Sequence, residues 1–369
     1  MTRCRLTARS FRVRTFNSLL VTGGSGFIGS AFVRRLLTAG AYAGRIVNLD
    51  KLTYAGNPRS VDGRVPEDRY TFVRGDIADT GLVLDLVDRH DIDAIVHFAA
   101  ESHVDRSILG PDPFLQSNVV GTQRLLEVVR ARPHLHFHHV STDEVYGSLG
   151  PEGRFTEESP YQPNSPYAAS KAASDHFVRA YAHTYGIRVT LSNCSNNYGP
   201  FQFPEKLIPL MILNLFENKP LPIYGDGGNV RDWLFVDDHV DALWTILCHG
   251  QTGTTYNVGG DCELTNLELI GRLIEVIALM TGKPMQELKE LVRFVEDRPG
   301  HDRRYAIDAS RLRQQLGWAP RHDLARGLQN TVRWYMDNSA WVEEVRSGEY
   351  LRWIEKNYDA RSEFSADAS

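Results

Sequence analysis

The chain lacks the features that would mark it as disulfide-stapled, membrane-spanning or nucleic-acid-binding. Its 369 residues include only four cysteines, Cys4, Cys194, Cys248 and Cys262. They are scattered without a CxxC pair, which excludes a disulfide framework or a zinc site by spacing and fits a reducing cytoplasm; no metal is expected. No apolar run approaches the ~20 residues that a bilayer-spanning helix needs. Neither sign of charge dominates: 41 Lys and Arg stand against 46 Asp and Glu, a formal charge of -5. That balance gives no general attraction to nucleic acid or to an anionic membrane, so an anionic ligand must find a local basic site. Repeats and low-complexity tracts are absent as well. The first 17 residues carry Arg3, Arg5, Arg9, Arg12 and Arg14 but no apolar core of a secretory signal. They are expected to form a flexible extension, with a transit peptide open on composition.

What is present is the texture of a globular α/β enzyme. Hydrophobic residues make up 42% and charged residues 24%, enough to build a full core at this length. Strand candidates at Leu19 to Thr22, Ile46 to Leu49, Tyr70 to Val73, Ala94 to Ala99 and Leu135 to Ser141 are separated by helical periodicity at Ala31 to Ala39, Leu82 to Arg89 and Val119 to Arg130. Such alternation predicts a doubly wound parallel sheet of the Rossmann type. Beyond Pro200 the texture changes. Pro204, Pro209, Pro220 and Pro222 punctuate shorter segments, among them a helix over Val236 to Cys248, a strand over Tyr256 to Gly259 and an amphipathic helix over Asn266 to Met280. The expected division is an NAD-binding domain over 18–199, a smaller irregular substrate-binding lobe over 200–355 interleaved with it, and a flexible tail over 356–369.

The first strand runs into GGSGFIGS, with glycines at 23, 26 and 29, and a helix follows. Glycine suits a tight turn whose backbone approaches a pyrophosphate, and the helix N-terminus offers N–H groups and a positive dipole end. Asp50 ends the next strand about 20 residues on, where a carboxylate accepts ribose hydroxyls and repels a 2′-phosphate; NAD is therefore the expected cofactor. Asp76, in the turn after the third strand, could bind the adenine amino group or simply cap a helix. Further along, SPYAASK places Tyr167 and Lys171 four residues apart on one helix face. An ammonium there would lower the phenol's pKa and let Tyr167 take a hydroxyl proton during hydride transfer. Ser141 and Thr142 end the preceding strand, placed to bond the same hydroxyl.

These stretches, with DKLTYAG (Asp50 to Gly56), HFAAESHVDRS (His97 to Ser107), STDEVYG (Ser141 to Gly147), NNYGP (Asn196 to Pro200), EKLIP (Glu205 to Pro209) and DRPGHDRRYAID (Asp297 to Asp308), resemble the extended short-chain dehydrogenase/reductases, and within them the dTDP-glucose 4,6-dehydratases. The resemblance runs from about Leu19 to Trp334. It implies a lyase that oxidises, dehydrates and re-reduces one hexose of dTDP-glucose, a nucleoside-diphosphate hexose, on tightly held NAD. Thr142, Asp143, Glu144, Tyr167 and Lys171 would be its catalytic set, with Asp143 the acid and Glu144 the base. Two adjacent carboxyls answer a chemical need, because expelling the C6 hydroxyl takes a proton donor and an acceptor that Tyr167 cannot supply while serving C4.

The resemblance also assigns the cofactor to Gly23, Gly26, Phe27, Ile28, Gly29, Asp50, Lys51, Leu52, Thr53, Asp76, Ile77, Phe98, Ala99, Ala100, Ser117 and Asn197, besides Tyr167 and Lys171. It assigns the sugar to Ser102 and Thr142, the linking phosphates and neighbouring groups to Asn196, Lys206 and Leu207, and the base to Pro222, Ile223 and Tyr224. Arg231 and Asn266 fall to the pyrophosphate and nucleoside, and Asp297, Arg298 and His301 to the far end. A guanidinium fork at Arg231 independently matches phosphate oxygens. Homodimerisation through the helices near Asn118 to Arg130 and Tyr167 to Tyr185 is also implied. A sugar-nucleotide 4-epimerase would share the glycines and the Tyr–Lys pair but would not need Asp143 and Glu144; a dehydratase acting on another nucleoside-diphosphate hexose would keep all five, and a non-catalytic cofactor-binding scaffold would need none of them.

Overall fold

The computed structural model describes residues 13–40 and 42–346. Its chain begins with β1 (Ser18–Thr22), α1 (Phe27–Thr38), β2 (Arg45–Asp50), β3 (Tyr70–Arg74), α2 (Thr80–Arg89) and β4 (Ala94–His97). Short α3 (Val104–Leu109) and α4 (Asp112–Phe114) precede α5 (Thr122–Ala131), β5 (His136–Thr142), α6 (Pro166–Tyr185) and β6 (Arg188–Cys194). After β7 (Asn196–Tyr198) come α7 (Leu207–Glu217), β8 (Leu221–Tyr224), β9 (Val230–Phe235), α8 (Val236–His249), β10 (Thr255–Val258), β11 (Glu263–Thr265) and α9 (Asn266–Thr281). Then α10 (Met285–Lys289), β12 (Val292–Val295), α11 (Ser310–Leu316), α12 (Leu324–Asp337) and α13 (Ser339–Val345) complete the described chain.

Seven strands form one sheet in the order β10-β6-β5-β4-β1-β2-β3, and every pairing in it is parallel. Parallel neighbours need crossovers, which the helices supply on both faces. The side-chain alternation of β1 shows how the sheet is buried. Leu19 and Val21 pack toward Phe32, Leu36, Val240 and Leu243 of α1 and α8, while Leu20 packs with Leu86 of α2 and Leu125 of α5. Each such side chain, fully removed from water, contributes about 1.5–3 kcal/mol before entropy is counted.

A second core, around Tyr198, Ile212, Leu269, Leu273, Leu328 and Trp341, joins α7, α9, α12 and α13. Two small sheets, β11-β9-β7 and β12-β8, edge this lobe. The lobe is not contiguous in sequence, because α8 and β10 leave it to cover the first face and extend the large sheet.

Two departures from the sequence reading have physical causes. The helix expected from Val119 starts earlier as a π-helix over Leu115–Gly121. There the Asn118 side chain clamps the backbone N–H and C=O of Glu101, at 2.9 Å each, and donates to Ser170 Oγ at 2.8 Å. A widened turn of this kind is common beside functional sites. At the start of the chain, residues 13–17, counted with the flexible extension, are held in place. Arg14 donates from its backbone to the Cys248 carbonyl and from its guanidinium to those of Leu247 and Ile246, satisfying the last turn of α8. Residues 1–12 and the tail over 356–369 lie outside the described residues.

Candidate active site

The carboxyl ends of β1, β2, β4, β5 and β6 open into a cavity of about 320 Å³, within the range of small-molecule sites. It lies beside β1 and β4, where the strand order reverses. Gly23, Gly26, Phe27, Ile28 and Gly29 form one wall. A Cβ on Gly29 would stand 2.2 Å from the Gly23 carbonyl oxygen, so only glycine lets α1 begin this close to the turn. No side chain caps α1, and its first-turn N–H groups remain available to an anion. Asp50 closes the floor, accepting from Ser25 N at 2.9 Å and Leu52 N at 2.8 Å. Burial raises its pKa against the pull of those two bonds. Lys51 and Asp76 face each other across the rim at 2.6 Å. Asp76 also accepts from Ala78 N, while Asp79 is the residue that caps α2.

Of the expected cofactor residues, all but Leu52 line this cavity. Leu52 sits in the left-handed region, φ 58°, and its N–H is what orients Asp50. A glycine-walled pyrophosphate cradle, an uncapped helix start and a buried carboxylate fit a dinucleotide.

The opposite wall carries the residues expected to be catalytic. Thr142 ends β5 and caps a 3₁₀ turn over Asp143–Tyr146, its Oγ1 accepting from Glu144 N at 3.2 Å. Gly147 ends the turn at φ 88°, where a Cβ would meet the Gln162 carbonyl oxygen at 2.3 Å. The turn thus aims Asp143 and Glu144 into the cavity. From α6, whose start is fixed by Ser165 capping Ala168 N and by Pro166, Tyr167 and Lys171 reach the same space.

The two carboxyls stand in different fields. Burial pushes Asp143 well above the usual carboxylate range, and Glu144 and Asp232 push it further, against Arg231 and Thr142. Burial also raises Glu144, but Arg298, Lys206 and Arg231 all favour its charged form. Tyr167 departs from expectation. Burial first, and then Glu144, hold its phenol well above its ordinary value, a hydrogen bond with Thr142 opposing them. In the protein alone, Lys171 instead donates to the Val140 carbonyl at 2.9 Å.

The expected substrate residues divide. Ser102, Thr142, Asn196 and Lys206 line the cavity, Lys206 Nζ donating to the Ser102 carbonyl at 2.9 Å. Beyond it, Tyr224 and Arg298 both bond Asp105, at 3.1 and 3.2 Å. His301 pairs with Asp297 at 2.6 Å and meets the Tyr224 ring edge-on. Burial, Arg298 and Arg231 hold His301 down to about 4, with Asp297 opposing. Arg231 lies over the Tyr305 ring at 4.3 Å and donates to the Val230 and Asp302 carbonyls. Leu207 and Ile223 turn their side chains into the lobe core, so what they offer a ligand is backbone. Pro222 pairs with Arg293 in the β8–β12 register, and Asn266 opens α9, its N–H on the Asn229 carbonyl. Asp143 Oδ2, Asn196 Oδ1 and Arg298 Nε are buried without a hydrogen-bond partner in the protein. Asp143 and Asn196 line the cavity, and unmet polar atoms there point to a polar ligand.

The family model described as GDP-mannose 4,6 dehydratase matches residues 20–331. The chain belongs to that family. It is 53% identical over 344 residues to a dTDP-glucose 4,6-dehydratase of Xanthomonas campestris pv. campestris (strain B100), covering 90% of this chain and 96% of that one. It is 47% identical over 361 residues to the dTDP-glucose 4,6-dehydratase of Salmonella typhimurium (strain LT2), covering 93% and 99%. The solved structure of the dTDP-glucose 4,6-dehydratase DesIV from Streptomyces venezuelae, with NAD and a second ligand bound, superposes with a TM-score of 0.84 at 50% identity, covering 89% and 99%. The fold of this family member is accordingly the Rossmann type.

Several lining or buttressing groups escaped the sequence reading. Glu101, Gln202, Phe203 and Glu205 line the cavity; Asp105, Asp302 and Tyr305 hold Arg298 and Arg231 beyond it. Asp105 and Glu205 sit inside stretches already singled out, and an acid beside a proposed cationic ligand was the available signal. Gln202 and Phe203 gave none. Among the described residues, no group of three potential ligands could hold a metal, and no helix is long and apolar enough to cross a membrane.

Proposed function

We propose that the protein converts dTDP-D-glucose to dTDP-4-keto-6-deoxy-D-glucose and water, as a hydro-lyase that uses NAD without net redox change. The observation that carries this reading is the adjacent Asp143 and Glu144, both buried but Asp143 pushed further up by neighbouring carboxyls while cations surround Glu144, in the cavity that also receives Tyr167 and Lys171. NAD, when bound, would supply the acceptor and later the donor of one hydride. Tyr167, bonded by Thr142 and backed by Lys171, takes the proton of the C4 hydroxyl. The C4 ketone acidifies the C5 hydrogen, which Glu144 removes while Asp143 protonates the departing C6 oxygen. Hydride return to C6 and reprotonation of C5 complete the product.

Gly23 to Gly29, Asp50 and their neighbours are proposed to hold NAD within residues 18–199. Lys206, Arg231, Arg298 and His301, mainly from residues 200–355, are proposed to hold the nucleoside diphosphate. Leu115, Phe177 and Tyr185, which are 40–50% exposed on or beside the helices named for dimerisation, support a homodimer. Light scattering of the purified protein tests that. Cys194, Cys248 and Cys262, which form no disulfide among the described residues, are consistent with work in the cytoplasm.

The test of the reaction is to incubate purified protein separately with dTDP-glucose and UDP-glucose and to follow product mass. Loss of one water from the dTDP sugar is expected. An unchanged mass with an inverted C4 would make it a 4-epimerase.

A further inference from the structure

One turn beyond Lys171, α6 carries another charge into the core. Asp175 has no exposed surface, and a carboxylate in such a place persists only when it is paired and hydrogen-bonded. Tyr161 Oη donates to its Oδ2 at 2.7 Å and Asn193 Nδ2 at 3.3 Å, while His139 Nε2 lies 3.1 Å from Oδ1. Arg179 in turn stacks on the Tyr161 ring at 4.7 Å and donates to its hydroxyl at 2.6 Å. Burial alone would raise Asp175, but His139 and Lys171 outweigh it and leave the carboxyl below its ordinary value.

Lys171 has the opposite problem. It is 4% exposed, and burial draws its ammonium down. The titratable groups around it come from four elements. Tyr167 and Asp175 share its helix, Cys194 comes from β6, His97 from β4 and His139 from β5. Burial pushes Cys194 up to about 12, draws His139 down to about 4 and holds His97 well below its ordinary value, so at neutral pH all three are uncharged. Asp175 is then the neighbour whose charge favours the ammonium.

We propose that Asp175, locked by His139, Tyr161 and Asn193, is the buried counter-ion that keeps Lys171 cationic, and so acts as a positioning residue for the first hydride transfer. This rests on the reading of Tyr167 and Lys171 as the oxidation pair. Without the carboxylate, the ammonium sheds its proton at a lower pH, and oxidation fails from the alkaline side.

The experiment compares pH profiles of kcat and of single-turnover cofactor reduction for the parent, Asp175→Asn, Asp175→Glu, Tyr161→Phe and Lys171→Met holoenzymes. Asp175→Asn is expected to move the alkaline limb of cofactor reduction down by about one pH unit, and so to slow that step by roughly 10-fold on the alkaline side of the limb. KM should hold, Asp175→Glu should restore most of the rate, and Tyr161→Phe should move the limb the same way by less. An alkaline limb left in place, whether the rate is parental or uniformly lower, would overturn the proposal. Should Asp175→Asn not fold, an unmoved limb in Tyr161→Phe overturns it equally. A Lys171→Met protein that reduces its cofactor at the parental rate would remove the oxidation pair itself. Loss of reduction in Lys171→Met with a parental Asp175→Asn profile would remove only the role of Asp175.

Discussion

The two walls of the cavity are built by different rules. On the cofactor wall, function is backbone: a turn that admits only glycine at position 29 and an N–H that aims Asp50. On the substrate side, function is side chain, and the side chains are braced before any ligand arrives. Asp105 holds Tyr224 and Arg298, Asp297 holds His301, and the Asp302 carbonyl holds Arg231. Backbone sites are set by residues within a few positions of one another. Braced side chains depend on partners far away in the chain, such as Asp105 and Arg298. The first kind of wall is sensitive to a single added methyl group, and the second spreads its energy over several exchangeable contacts.

The difference can be broken or sharpened experimentally, beginning with the acidic turn on the wall opposite the glycines. Glu144→Gln should lower kcat by roughly 10²–10⁴-fold. The reduced nicotinamide signal should still appear on adding substrate, because the proposed oxidation step uses Tyr167. Parental turnover in that variant would remove Glu144 as the base.

Acid titration comes next. His97, His136, His138, His139 and His239 are buried on the sheet side, and burial depresses each of them, His136 and His239 to about 3 and His139 to about 4. Below the unfolded value near 6.5 the unfolded chain takes protons that the folded one refuses, so stability is lost as pH falls from there toward 4. The loss is about 1.4 kcal/mol per pH unit for each ring that stays neutral. Hydrogen exchange should show β4 and β5 losing protection before α9 and α12. The reverse order would break the distinction.

Gly29→Ala should destabilise by about 1–3 kcal/mol through overpacking and should emerge from purification depleted of cofactor. Denaturant midpoints and bound-nucleotide content measure both. Tyr224→Phe should do least, raising KM about fivefold by loss of one bond to Asp105 at unchanged kcat. A larger effect from Tyr224 than from Gly29 would invert the account.

How much of this the sequence displayed follows from the same rule. The glycine turn, Asp50 and Tyr167 with Lys171 are local patterns that spacing announced, whereas Asp143 and Glu144 entered through the resemblance carried by STDEVYG. The parallel sheet was legible because each strand and helix has its own period. Return of α8 and β10 to the large sheet is settled by long-range packing, which leaves little local trace. The π-helix at Leu115–Gly121 depends on Asn118 reaching Glu101 and Ser170, and no period reports such a clamp. The Tyr167 phenol was expected to be lowered by Lys171, yet burial and Glu144 dominate it; desolvation cannot be read from i, i+4 spacing.

The account turns on one hydride that leaves C4 of the hexose and returns to C6 of the same molecule. Substrate carrying deuterium at C4 should yield product with that deuterium on the C6 methyl group, detected by NMR of the isolated sugar nucleotide. Product whose C6 deuterium comes from solvent, or substrate that keeps its C4 label through turnover, would contradict it.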